Sequence, residues 1–382
     1  MTFPRPFVDY YSKNAISPVS QDISNVQKHF EMRNSLYRTL GIPSRMIEGR
    51  TVIEFGPGSG YNSLFTHSLS PEKYLLVEAN PTGIATIAKL FADVKNTDNI
   101  TIAESLIEDF AISDRFDFVF CEGVIPAQRN PVSFLKHIAS FATPGGVVVI
   151  TCVDNVSALS EMLRRFVSQY IVDPDCSIQE NAKKLAPIWK DHLDSLEGMT
   201  RPHEDWILDN MLQPFYGPWL SIKEAIEGLE DNFCVYNSSP SFFADWRWFK
   251  DNHGDKIKNI NQLSVNEYEK NVHNLLDYRA EYLPRNSQKN KEMLDVCLKI
   301  HTVVESYMRS RDDKYVDSIM KLTIDLGRSL EDLDCDYNGV FEDFRTAFSQ
   351  IISGNRNVDF GRFTSFFGRG QQYLSFIRDG VF

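Results

Sequence analysis

The chain has 382 residues, 42% of them hydrophobic and 24% charged, enough apolar material for one large domain or two to three smaller ones. Its formal net charge of −12 argues against a broad phosphate-binding surface, so nucleic acid is not an expected partner. No apolar run approaches the ~18 residues of a membrane span. The six cysteines, Cys121, Cys152, Cys176, Cys234, Cys297 and Cys335, contain no Cys-x-x-Cys pair, which disfavours zinc and a disulfide framework.

The opening residues, Met1 to Phe7, show no basic region followed by an apolar segment, so no secretory leader is expected, and the expected compartment is the reducing cytoplasm. Asp9-Tyr10-Tyr11 and Ile16 to Val19 precede a helix predicted from about Asp22 to Leu40. Thr51 to Phe55 reads as a first strand. Gly56, Gly58 and Gly60 follow at alternate positions, and a helix-like run starts at Tyr61. A strand, a glycine turn and a helix start bring backbone N–H groups up to a nucleotide-like ligand. Glycine is needed where a Cβ would block the approach or where φ is positive.

Lys73 to Glu78 reads as the second strand, and Asn80-Pro81 as the cap and first residue of a helix to about Val94. Asn99 to Ala103 is the third strand, Arg115 to Cys121 the fourth, Pro131 to Phe141 a helix. Thr143-Pro-Gly-Gly146 is a turn into a fifth strand, Val147 to Cys152. Strands of continuous apolar residues alternating with helices predict a mainly parallel sheet covered on both faces. From about Val156 to Asp231 only helical runs are seen. Phe233 to Tyr236 reads as a sixth strand, Phe242 to Phe249 as a candidate seventh, and Ile260 to Ile352 as long charged helices. The polar stretch Lys250 to Asn261 reads as a linker.

Glu54, two residues before the first glycine, completes the pattern Glu-x-Gly-x-Gly-x-Gly. A dinucleotide fingerprint wants its third glycine at the position held by Tyr61. Glu78 ends the second strand 18 residues past Gly60, where an acid accepts from ribose hydroxyls. As a plain alternative it is a carboxylate near a helix N-terminus. These features, with the Glu104 to Asp109 run after the third strand and Asp117 to Glu122 in the fourth, resemble class I S-adenosylmethionine-dependent methyltransferases. The resemblance covers roughly Arg50 to Cys152 and extends to Phe233 to Phe249.

It implies a Rossmann-like, doubly wound, mainly parallel seven-stranded sheet with a helical insertion and a helical C-terminal domain. The expected divisions are a helical cap at 1–48, a core at 49–153 and 232–250, a helical lid at 154–231 and a helical domain at 251–382. The implied cofactor is S-adenosylmethionine. Its candidate residues are Glu54, Gly56, Gly58, Gly60 and Glu78, with Ser105 and Leu106 at the adenine and Glu122 at the reactive end. Ser105 reads equally as a helix cap, and Glu122 as a solvated loop acid. Tyr11 and Arg33 are candidates for the cofactor carboxylate, or else a packing aromatic and a solvated helix residue.

An oxygen acceptor needs a base. In Arg201-Pro-His-Glu-Asp-Trp206 the candidate is His203, oriented by Glu204 or Asp205, with Glu122 as a further catalytic candidate. The competing reading is a helix start with acids in its first turn and Trp206 as a core anchor. No metal is expected. The tail Phe360 to Tyr373 carries Arg362, Arg369, Gln371 and Gln372 among four phenylalanines. It either binds an anionic or sugar-like group or docks on the core or a second subunit. The expected function is methyl transfer to a small-molecule or glycan-like acceptor at oxygen, with a homodimer through the C-terminal helices. The alternatives are a non-catalytic S-adenosylmethionine-binding protein and a nicotinamide oxidoreductase.

Overall fold

The computed structural model describes residues 6–14, 24–126, 128–199, 201–213 and 217–380. Ile16 to Val19 and the start of the predicted helix at Asp22 lie outside the described residues. In chain order the elements are α1 (Pro6–Lys13), α2 (Val26–Thr39), β1 (Thr51–Phe55), α3 (Tyr61–Ser68), β2 (Lys73–Glu78), α4 (Pro81–Ala92) and β3 (Ile100–Glu104). Then follow β4 (Phe116–Cys121), α5 (Pro131–Ala139), β5 (Ala142–Cys152), α6 (Leu159–Ile171), α7 (Ile178–Asp194), α8 (His203–Ile207), α9 (Ile222–Leu229) and β6 (Phe233–Ser239). The last part holds α10 (Asp255–Asn271), α11 (Ser287–Ser310), α12 (Lys314–Ser329), α13 (Tyr337–Ile352) and β7 (Gln372–Arg378).

The seven strands form one sheet in the order β3-β2-β1-β4-β5-β7-β6. β3, β2, β1, β4 and β5 are mutually parallel, and β7 runs antiparallel between β5 and β6. The chain winds outward from β1 to β3, then returns to place β4 on the other side of β1. The carboxyl ends of β1 and β4 are therefore the switch point at which open α/β sheets bind ligands in a crevice. Core strands such as Val52-Ile53 and Val119-Phe120 are buried on both faces, as a helix-covered parallel sheet requires. On one face Tyr37 of α2 stacks on Phe120 at 5.3 Å and meets Phe65 of α3 edge-on.

The seventh strand differs from the one expected. Phe242 to Phe249 is not a strand, and Trp246, Trp248 and Phe249 are exposed by 93%, 64% and 76%. The slot beside β5 and β6 is filled by Gln372–Arg378, whose Leu374 and Phe376 are fully buried. Thr143 to Gly146 also belongs to β5 rather than to a turn before it. It forms an irregularity, with the register jumping from Phe116↔Ala142 to Phe118↔Val147 and Gly145 at φ 75°.

The chain divides into two units. The first, residues 1–153, 214–268 and 371–382, holds the sheet. The second, residues 154–213 and 269–370, is helical. The helices after β6 thus do not form a domain reaching to the end of the chain, because the last strand belongs to the sheet. Within the second unit Arg164 is fully buried. Its Nε donates to His192 Nδ1, and its two terminal nitrogens donate to the carbonyls of Ser160, Phe363, Thr364 and Phe366. Those bonds tie α6 to the phenylalanine-rich segment before β7.

Candidate active site

Gly56, Gly58 and Gly60 all have positive φ, at 67°, 58° and 78°. At Gly56 a Cβ would lie 2.4 Å from Val124 Cγ2, so the loop after β4 packs directly on the loop after β1. Gly60 caps α3 in the left-handed conformation, and a Cβ there would press on Ile87 at 2.9 Å. Only glycine combines that backbone with that proximity. Ile107 reaches within 3.8 Å of the same Gly56 Cβ position and is buried, so it supplies an apolar wall beside the loop.

Glu78 stands against this loop. Its Oε2 accepts from Gly58 N at 2.9 Å, and its Oε1 accepts from Ala79 N at 2.9 Å and Asn80 N at 2.8 Å. A carboxylate has about four acceptor positions, so one remains for a hydroxyl. Burial pushes the Glu78 pKa up, against the pull of the three amides. Ser105 N donates to the carbonyl of Glu78, and Ser105 Oγ to that of Leu106. No helix starts at Ser105, so its reading as a cap is corrected.

At the carboxyl end of β4, Glu122 forms a two-pronged ion pair with Arg33 of α2, Nη1 to Oε2 at 2.8 Å and Nη2 to Oε1 at 2.5 Å. Both side chains are nearly buried, at 7% and 11% exposure. Burial opposes the Arg33 charge, but the adjacent Glu122 carboxylate holds its pKa above the ordinary value. Asn62 Nδ2, in the first turn of α3, also donates to Glu122, and the Tyr373 hydroxyl of β7 bonds the pair. Arg33 Nε is buried without a hydrogen-bond partner. Arg33 and Glu122 are thus not the solvated residues of the competing reading. His29, one turn before Arg33, has its Nε2 3.1 Å from the Tyr61 carbonyl, and burial lowers its pKa.

Glu54 lies in β1. It is 5% exposed, and its Oε2 accepts from Ser63 Oγ at 2.9 Å and from the Tyr74 hydroxyl. Burial, reinforced by the Glu122 charge, pushes its pKa up to about 7. These bonds link β1, β2 and α3. Tyr11 lies in α1, its ring edge-on to Tyr10 at 5.4 Å.

His203 and Asp205 belong to the second unit. They begin the short α8, whose first turn carries Glu204 and Asp205 and whose Trp206 is buried, as the helix-start reading has it. His203 Nε2 lies 3.3 Å from Asp194 Oδ1, so its acid neighbour is Asp194 rather than Glu204 or Asp205. In the tail, Arg362 pairs with Asp343 and Asp336, and Arg369 donates to the carbonyls of Asn274 and Ala280. Phe360, Phe363, Phe366 and Phe367 are core residues. These residues pack against other parts of the chain. Asn62, Ser63, Tyr74 and Tyr373 were not singled out from the sequence. Asn62 and Ser63 directly follow the glycine turn, a signal that was there to use. Tyr74 and Tyr373 meet the site only through strand register.

Residues 31–191 match a family model described as a methyltransferase domain. Over those residues the chain is similar to a methyltransferase domain. Its mostly parallel sheet has the methyltransferase α/β fold, and the cofactor of the class is S-adenosylmethionine. No curated protein matches. Among solved structures, the chain is similar to the CcbJ methyltransferase of Streptomyces caelestis at 15% identity, over 40% of this chain and 59% of that one, TM-score 0.32. It is similar to an S-adenosylmethionine-dependent methyltransferase of Mesorhizobium loti at 14%, over 29% and 49%, TM-score 0.26. It is also similar to the N-methyltransferase NodS of Bradyrhizobium japonicum at 15%, over 38% and 74%, TM-score 0.30. The chain thus spans about half the length of the first two of these proteins. The groups at the crevice of the methyltransferase domain fit this cofactor. An arginine with an unpartnered buried Nε and a carboxylate match the ends of an α-amino acid, and Glu78 keeps an acceptor position for a ribose hydroxyl.

Proposed function

We propose that the protein is an S-adenosylmethionine-dependent methyltransferase acting on a small-molecule or glycan-like acceptor at oxygen. The observation that carries the cofactor part is the buried Arg33–Glu122 pair at the β1/β4 crevice, beside the glycine loop that Glu78 holds. Arg33 binds the cofactor carboxylate, and Glu122 its ammonium. Each gives up the other in part, so binding exchanges one internal ion pair for two with the ligand. Glu78 takes a ribose hydroxyl, while Ile107 and Leu106 flank the adenine. When bound, S-adenosylmethionine supplies an electrophilic methyl on a sulfonium.

The chain's own contribution is alignment and exclusion of water, since a thioether leaves without an acid. The glycine loop fixes the cofactor backbone, and Asn62 and Tyr373 hold the Glu122 carboxylate in place. A hydroxyl acceptor would also need its proton taken, and His203, beside Asp194, stands as the proposed base. The net charge of −12 supports a small acceptor over a polyanion.

Calorimetry with S-adenosylhomocysteine and with NAD tests the cofactor. Binding of the first and not the second is expected, and the reverse overturns the reading in favour of an oxidoreductase. Incubation with labelled S-adenosylmethionine and pools of hydroxylated small molecules and oligosaccharides tests the transfer. Label in an alkali-stable ether product is expected. Tight cofactor binding with no label transferred from any pool would mean a protein that only holds the cofactor. His203→Ala should cost roughly 100-fold or more in rate, and normal turnover would return it to a structural role.

A further inference from the structure

The helical second unit carries an open pocket of about 370 Å³, whose lining residues all belong to that unit. Its walls include Trp206, Tyr278 and Phe367, together with Leu196. Two acids, Glu161 and Glu197, and one guanidinium, Arg369, face it among the described residues. The volume falls in the range of small-molecule pockets, and aromatic walls with a few fixed polar groups are their usual lining.

We propose that this cavity is a binding site for a small molecule carrying a protonated amine on an aromatic or apolar scaffold, with Glu161 as its counter-charge. The inference is independent of methyl transfer and of the crevice described above. Glu161 is the third residue of α6, where the helix dipole favours an acid. The dipole explains its sign and leaves its lack of an ion pair unexplained. Its one side-chain hydrogen bond comes from Ser160 Oγ at 2.7 Å, and no cation stands within ion-pair distance among the described residues.

The cations nearby are already committed. Arg164, one turn on, spends every N–H on His192 and on backbone carbonyls, and its Cζ lies 3.7 Å from the Phe367 ring centroid. Arg369 donates through Nε and Nη2 to the carbonyls of Asn274 and Ala280. Burial accordingly pushes the Glu161 carboxyl up, despite the Arg164 charge.

The wall that faces Glu161 is built rather than incidental. Gly368 N donates to Ser160 Oγ at 3.1 Å, and a Cβ on Gly368 would fall 1.9 Å from the Ser157 carbonyl oxygen. The serine that accepts from Gly368 is the one that donates to Glu161, so the carboxylate and the 367–370 segment are held by a single hydroxyl. A carboxylate facing aromatic rings across a pocket is the chemistry that recognises ammonium, by a charge-assisted hydrogen bond and by cation–π attraction.

Calorimetry of the full chain with three indole probes of one shape tests this: tryptamine, the neutral alcohol tryptophol and the anion indole-3-acetate. Tryptamine is expected to bind about tenfold or more tighter than tryptophol, the worth of a hydrogen bond to a charged group, with indole-3-acetate weakest. In Glu161→Gln, which can keep the Ser160 bond, the two neutral-to-cation affinities should converge. Leu196→Trp, which fills the cavity, should abolish binding of all three while cofactor binding stays unchanged. Equal affinity for amine and alcohol in the unmodified chain overturns the proposal without any variant. So does an amine preference that survives Glu161→Gln, or no binding of any probe at millimolar concentration.

Discussion

At the residue scale the buried Arg33–Glu122 pair concentrates most of the testable physics. Removing one member of a buried pair leaves an uncompensated charge, which costs about 3–5 kcal/mol. Arg33→Leu should therefore lower the urea midpoint strongly, and Arg33→Leu with Glu122→Leu together should recover part of the loss. Additive losses in that double-variant cycle would mean the two side chains are not coupled as the geometry shows. Glu54 sets a pH dependence. Its folded pKa is pushed up to about 7 by burial, above the ordinary carboxylate value, so the unfolded chain ionises first as pH rises. Stability is fully present below the unfolded value and declines from about pH 4.5 to 7, by roughly 3 kcal/mol at most. Glu54→Gln should remove that part of the decline in denaturation curves taken at pH 5 and pH 8. An unchanged slope would show that Glu54 is ionised at neutral pH in the folded chain.

At the scale of elements, β7 decides the most. The tail reads as a terminal segment, and the structure makes it an inner strand bonded on both sides to β5 and β6. Ser375 is fully buried, and its Oγ donates to the Leu40 carbonyl and accepts from Asn237 N. Deleting residues 371–382 should therefore abolish soluble expression, because it exposes two sheet edges and removes Tyr373 from the Arg33–Glu122 pair. A soluble, monomeric truncated chain on size exclusion would show that β5 and β6 close up without it. The glycine turn belongs to the same scale. Gly56→Ala puts a methyl 2.4 Å from Val124 in a left-handed backbone. A loss of roughly 1–2 kcal/mol of stability is expected from the backbone alone, with weaker S-adenosylhomocysteine binding measured by calorimetry.

At the scale of the whole molecule, charge and chain path set the expectations. A net charge of −12 should keep the protein from binding RNA or DNA in mobility-shift assays, even at low salt. A shift that weakens steeply with salt would reveal a basic surface that the total charge hides. Among the described residues no helix is long and apolar enough to cross a membrane. The chain passes between the two units after residues 153, 213, 268 and 370. No single contiguous piece reproduces the sheet-bearing unit, so each unit is best probed by point variants in the full chain.

The local features were legible in the sequence because they depend on near neighbours. Apolar continuity marked β1, β2, β4 and most of β5. Asn80-Pro81 marked the start of α4, where the Asn80 side chain accepts from Thr82 N. Glycine spacing and Glu78 marked the glycine loop and the acid that holds it. Arg33 and Glu122 were each named from the sequence, 89 residues apart, yet their union as an ion pair needed α2 and β4 to meet. The roles of Glu54, Tyr74 and Tyr373 follow from strand register, which a single chain does not display. The choice of β7 over Phe242 to Phe249 was a competition for one slot between β5 and β6. It was decided by which segment could bury Leu374 and Phe376 there, a matter of long-range packing rather than of local pattern. The sequence by itself determined a nucleoside-binding α/β domain and its glycine loop. Tertiary structure decided the partners of Glu54, Glu78 and Glu122, which depend on packing between distant residues, and that the helical second unit holds a pocket of its own.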